Sequence, residues 1–131
     1  MTVIENKKTI NGSIEEVYNF LEDCNNHQQL QPENIYNWVS TKDEASFTIQ
    51  NMAKLTLQID KRTPNSEILL LPKGDAPFDV SIAWKLNPLA SGTEVTLILK
   101  AELNMMLKMI ASGPLQKLVD FQLLKLSEKF T

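Results

Sequence analysis

The chain has 131 residues, 43% apolar and 22% charged, with 13 basic against 16 acidic side chains and a net charge of −3. That length supports one domain, residues 1–131, able to bury roughly 65–70% of its unfolded surface without staples. The acidic balance, with Arg62 as the sole arginine, argues against nucleic acid, because phosphate neutralisation and bidentate base readout need clustered Lys and Arg.

Cys24 is the only cysteine, so no internal disulfide can form and a reducing compartment is expected. The start, Met1-Thr2-Val3-Ile4-Glu5, turns polar at once and lacks the apolar core of a signal peptide. No apolar run approaches the roughly 18–20 residues that span a bilayer. A cytoplasmic, soluble protein with no membrane span is the expectation.

Residues 3–10 read as a first strand. Gly12-Ser13 then opens a helix: Ser13 and Glu16 have the spacing of a capping box, and Ile14, Val17, Tyr18 and Leu21 share one face. The polar run from Cys24 to Gln31 predicts a second short helix, ended by Pro32 because a residue before proline is pushed out of the helical region. Strands follow at 36–40 and 46–50, joined by a turn at Thr41-Lys42-Asp43-Glu44. In 53–61, Leu55, Leu57 and Ile59 alternate with polar neighbours. Thr63-Pro64-Asn65 is a turn, and 67–71 a strand stopped by Pro72.

Phe78, Val80, Ile82, Trp84 and Leu86 share a face over nine residues, and 87–92 is a connection. Val95, Leu97, Leu99, Ala101 and Leu103 alternate again. Strands with one apolar face make an antiparallel sheet that needs a cover on that side. The last stretch, 104–131, is the only element long enough. It reads as a helix in two parts: an almost wholly apolar segment from Asn104 to Ser112, expected to be largely buried or to lie against something apolar, and a stripe of Leu115, Leu118, Val119, Leu123, Leu126 and Phe130. Gly113-Pro114 is expected to break or kink it between the two. Leu124 falls on the outer side.

Three stretches are similar to one superfamily. Asn11 to Asp23 resembles the start of the first helix in the START-like helix-grip (SRPBCC, polyketide cyclase and pollen-allergen) proteins. Pro88-Leu89-Ala90-Ser91-Gly92-Thr93-Glu94-Val95-Thr96-Leu97 resembles the hairpin before their last strand, and Gly113-Pro114-Leu115 with its leucine stripe resembles their closing helix. The resemblance covers nearly the whole chain. It implies an α+β fold with a curved antiparallel sheet wrapped around a long C-terminal helix, and two short helices after the first strand. It also implies a cavity for an apolar or amphipathic small molecule, with no shared catalytic motif.

The candidate lining is Leu55, Leu57, Ile59, Phe78, Val80, Ile82, Trp84, Leu97, Leu99, Met109, Leu115, Leu118, Val119 and Gln122. Periodicity alone cannot separate a filled core from a cavity. Gln122 lies in the middle of the apolar stripe and, if buried, needs a partner: strand backbone, Tyr, Trp or a ligand. Met105, Met106 and Met109 suit either gap-filling or an adaptable apolar wall. Cys24, His27 and Asp23 are too few for a structural zinc site, so a buried Cys and a solvated His are expected, with no metal or cofactor. The acid pairs Glu15-Glu16 and Asp43-Glu44 suit capping and solvation.

A non-catalytic binding protein is the first expectation. A cyclase or dehydratase, with Tyr18, Tyr36, His27 or Gln122 in its site, is the alternative. An interaction module, pairing through Leu124 and an edge strand as a weak homodimer, is the third.

Overall fold

The computed structural model describes residues 1–131. Strand β1 (Thr2–Ile10) is followed by helices α1 (Ile14–Leu21) and α2 (Cys24–His27), the latter running into a single 3-10 turn at Gln28–Leu30. Strands β2 (Ile35–Ser40), β3 (Glu44–Ile49), β4 (Ala53–Thr63), β5 (Glu67–Pro72), β6 (Val80–Leu89) and β7 (Gly92–Ala101) then lead to α3 (Met105–Lys129). All seven strands form one antiparallel sheet in the order β1-β7-β6-β5-β4-β3-β2. The sheet curls into a half-barrel around α3, the α+β architecture expected from the element order.

Local chemistry explains the boundaries. The capping box is present: the Glu16 amide donates to Ser13 Oγ at 3.2 Å, and the Ser13 amide to Glu16 Oε1 at 3.3 Å. Asp23 caps α2 by accepting from the Asn25 amide at 2.9 Å. Gln31 is extended (φ −92°, ψ 139°) ahead of Pro32. Asn37, Asn51 and Asn65 take positive φ (55°, 62° and 59°), a conformation that a short amide side chain tolerates. Asn37 does so inside edge strand β2, where the pairing with β3 slips between Tyr36 and Val39.

One expected connection is strand instead. Residues 87–89 continue β6, with Pro88 opposite Thr93. The Leu86 amide donates across to the Ser66 carbonyl, so alternate amides of β6 face the β5 side. Strand β5 begins only at Glu67, and the N–H that Pro88 lacks would have pointed past it.

Arg62, the lone arginine, is structural. Its guanidinium donates to the Glu22 carbonyl (2.8 Å and 3.1 Å), the Lys42 carbonyl (3.2 Å) and Asp43 Oδ1 (2.9 Å). One planar fork thus ties the end of α1 to the β2–β3 turn and to β4. Cys24, at the start of α2, donates its amide to the same Lys42 carbonyl at 2.9 Å.

Two expectations for the last helix are corrected. Gly113-Pro114 does not break it: α3 is one helix of 25 residues, capped by Asn104, which accepts from the Leu107 amide at 2.8 Å. Proline's fixed φ is helical, and its cost is one missing donor to the Ile110 carbonyl. Nor is the first segment buried. Met105, Met106, Met109 and Ile110 are 60–82% exposed, and burial begins at Ala111. Hydrophobicity chose the helix but could not choose its cover, and no other element of the chain lies over those side chains. Leu124 is exposed on the outer side as expected.

A Cβ on Gly113 would meet open space within 4 Å. Gly113→Ala is therefore expected to stabilise the protein by about 0.5–1 kcal/mol through helix propensity alone. A urea midpoint below that of the parent would show that the site needs glycine.

Candidate functional site

The concave face of the sheet and the C-terminal half of α3 enclose an apolar chamber of about 40 Å³. Alternation along the strands turns one face of the sheet towards it. Leu55 and Leu57 come from β4, Val80, Ile82 and Trp84 from β6 with Phe78 just before it, and Leu99 from β7. Leu115, Leu118 and Gln122 come from successive turns of α3. Four expected lining residues stand elsewhere. Leu97 and Val119 are fully buried in solid core. Ile59 is half-buried where the pairing of β4 with β5 shifts. Met109 is 82% exposed on the solvent side of α3.

Large side chains fill most of the space, and what remains holds about three waters. An open cleft of about 300 Å³ adjoins it, lined by Leu107, Ile110, Ala111 and Pro114 of α3, by Asn34, and by Gln50, Asn51 and Met52 of the β3–β4 turn. Ile49, Leu115 and Leu118 line both spaces and form the partition between them. The cleft lies under the first half of α3, where the helix has left the sheet.

The chamber also receives side chains that pattern alone missed: Phe47, Ile49 and Leu70, and three with polar atoms, His27, Gln31 and Trp38. His27 was expected in solvent and is instead 5% exposed. Its run is polar, but α2 packs inward because Cys24 and Leu30 on either side are buried in the core. The His27 ring meets Trp84 edge-on, with centroids 5.8 Å apart. Its Nε2 lies 2.7 Å from the Leu21 carbonyl, which can only accept, so Nε2 carries the proton. Burial pushes the imidazole below its usual pKa, against the opposing pull of that hydrogen bond and of Asp23.

Gln122 is buried and paired, and its partner is none of those anticipated for it within the protein. Its Nε2 donates to Gln31 Oε1 at 2.9 Å, and Gln31 Nε2 donates to the His27 carbonyl at 2.9 Å. Trp38 stacks on Phe47, with centroids 5.2 Å apart and planes at 13°. Its buried Nε1 has no hydrogen-bond partner. The one sequence signal for this polar group was the run of amides beside a lone histidine, which carries no periodicity.

Other candidates lie apart from the chamber. Burial raises the Cys24 thiol to about 11, Arg62 opposing, so it stays protonated and unreactive. Tyr18 is core, and Tyr36 faces solvent. Cys24, His27 and Asp23 do not converge as a metal-binding group.

No protein-family model matches the chain, and no curated protein sequence does. Solved structures match over almost its full length. The KanY protein in solution has a TM-score of 0.80 at 14% identity, covering 98% of this chain and 97% of that one. XoxI from Bacillus cereus has a TM-score of 0.78 at 14% identity, with 99% and 96% covered. Aha1 from Colwellia psychrerythraea, solved as a dimer, has a TM-score of 0.73 at 18% identity, also with 99% and 96% covered. These likenesses establish the curled sheet with its C-terminal helix.

His27 makes acid stability a test of the buried polar end. Its folded pKa lies below the unfolded value near 6.5, so the unfolded state binds the proton more readily. Its contribution is complete above that value and is lost as pH falls through it towards the lower folded pKa. Urea midpoints measured between about pH 7 and pH 5 should fall in the parent and fall less steeply in His27→Gln. Equal slopes would place His27 in solvent.

Proposed function

We propose that the protein is a START-like (SRPBCC) helix-grip binding protein that takes an apolar or amphipathic small molecule between its sheet and α3. The observation that carries this reading is the shared partition of Ile49, Leu115 and Leu118 between the chamber and the cleft. The chamber alone is too small for an organic ligand. The cleft alone reaches the lower end of typical ligand sites, roughly 300–1,000 Å³. Rotation of Leu115 and Leu118 about their side-chain bonds joins the two. The entrance walls include Met52, whose flexible thioether is adaptable, with Ile110 and Pro114 of the helix.

The site fits binding better than catalysis. Among the chamber's side chains only His27 is titratable, and no carboxylate orients its ring. His27 does favour a second reading, in which Nδ1 removes a proton from a bound substrate, as in a cyclase or dehydratase. No cofactor is part of either reading. The expected cellular setting is the cytoplasm; no helix is long and apolar enough to cross a membrane. The partners follow the same lines, with a small molecule bound and no nucleic acid. Association is limited to a monomer or a weak homodimer, for which the dimeric Aha1 is the structural precedent.

Nile red, a neutral apolar dye, should bind saturably, with blue-shifted emission. Ala111→Leu, which projects three more carbons into the cleft, should weaken it at least tenfold. Met109→Ala, at the solvent-facing position, should bind as the parent does. Absence of saturable binding by the folded parent would dismiss the reading. Native mass spectrometry of freshly purified protein would name the ligand class from any retained mass. Sedimentation at micromolar concentration decides the association state: a dimer that resists dilution would exclude the weak one expected.

A further inference from the structure

We infer that the outer face of the first half of α3 is a self-association surface. A second copy of this chain lays the same stretch of helix on it, antiparallel, about a two-fold axis at Met109 and Ile110. The inference is independent of what the chamber binds.

A helix that covers a sheet turns its outer face to water and is expected to carry charge there. The second half of α3 does so through Lys117, Asp120 and Glu128, all exposed. The first half does not. Met105, Met109 and Gly113 form one row along the helix at four-residue spacing, and Met106, Ile110 and Pro114 form the row beside it. All six are exposed and none is charged. Lys108, the one charged residue between Asn104 and Gln116, stands on neither row. Ten large apolar residues are exposed in the chain, and four of them fall between Met105 and Ile110. The other six are spread along the rest of the sequence, and such scattered exposure is ordinary.

Shape selects the occupant. Met105 and Met106, 81% and 72% exposed, project at one end of the two rows. At the other end Gly113 has no side chain, and the space that a Cβ would enter is open. A surface raised at one end and low at the other complements itself when turned end for end. A two-fold contact that buries the whole face must place its axis at the midpoint, at Met109 and Ile110. It then sets Met105 and Met106 of each copy opposite Gly113 and Pro114 of the other. Rows at four-residue spacing are those that interlock in the commonest helix pairs. An anionic lipid surface, by contrast, is drawn by clustered Lys and Arg, and this stretch supplies one lysine on a chain of net charge −3.

Area sets the strength. Met105, Met106, Met109 and Ile110 together expose roughly 600 Å², the upper end for the largest apolar patch of a typical monomer. Two copies that cover this face remove about 1,200 Å² from water, the lower limit of a specific interface. The dimer is therefore weak and dissociates at micromolar concentration.

Sedimentation equilibrium of the full chain from about 1 to 300 µM tests the inference. The average mass of the parent should rise with concentration from 14.9 kDa towards twice that value. Met109→Glu and Met109→Lys, at a position 82% exposed, should each weaken association at least tenfold, because like charges meet at the axis. An equimolar mixture of the two variants should recover that loss, since each pair then brings opposite charges together. Leu124→Glu, further along the helix and outside the face, should associate as the parent does. In the unmodified protein, the methyl resonances of Met105, Met106 and Met109 should move on dilution while that of Met1 stays, a readout that needs no variant to fold. A mass of 14.9 kDa throughout, unchanged association in both Met109 variants, no recovery on mixing, or loss of association in Leu124→Glu would overturn the inference. A monomer that binds phosphatidylcholine vesicles, and loses that binding in Met109→Glu, would assign the face to lipid and overturn it as well.

Discussion

Seven strands that alternate apolar and polar side chains expose one face that water disfavours, and the burial of that face under α3 is what the rest of the molecule depends on. Leu115, Leu118, Val119, Leu123 and Leu126 are buried on the sheet's side of the helix. Each such side chain contributes about 1.5–3 kcal/mol when removed from water. The remaining contacts keep this cover in place. Phe130, at the helix end, meets Phe20 of α1 edge-on at 5.9 Å, and Lys129 donates to Gln29 Oε1 at 2.9 Å. The Arg62 fork then holds α1 to the far strands.

That anchoring is uneven along the helix, and the unevenness makes the site. From Ala111 onward α3 is gripped; before it, the helix carries exposed methionines and an isoleucine over an open cleft. Gly113 and Pro114 lie at the change, one weakening helix propensity and the other removing a hydrogen bond. The chamber is small, and three aliphatic side chains stand between it and the cleft.

The polar end of the chamber is the other consequence of packing. Helix α2 and its 3-10 turn close the end of the half-barrel and bring His27 and Gln31 to Gln122, 91 residues away in sequence from Gln31. The pairing engages Nε2 of the Gln122 amide and leaves its Oε1 without a protein partner. Buried polar groups of this kind define orientation more than affinity, because the cost of mismatching them exceeds the gain of satisfying them.

Much of the fold was legible because it follows from local rules. The capping box, the proline stops, the alternation of β4, β6 and β7, and the stripe of α3 each have a period or a residue type that dictates them. Of the apolar chamber walls, Leu55, Leu57, Val80, Ile82, Trp84, Leu99, Leu115 and Leu118 were legible for the same reason, whereas Ile59, Leu97, Met109 and Val119 fall outside the chamber. Sequence reading failed where a property belonged to the partner and not to the segment. Met105 to Ile110 is apolar, yet its exposure depends on where the sheet ends. His27 sits in a polar run, yet its burial depends on the core contacts of Cys24 and Leu30. Pro88 resembles a loop residue, yet β5 stops just short of it.

The amino-acid sequence by itself determined the order of elements, the sheet's one-sidedness and the need for a helical cover, since these rest on periodicity and short-range chemistry. Only the tertiary structure decided how much of the covered space is filled, which half of α3 leaves the sheet, and which polar atoms meet in the chamber. Those outcomes depend on volumes and hydrogen bonds between residues far apart in the chain, which no local pattern encodes.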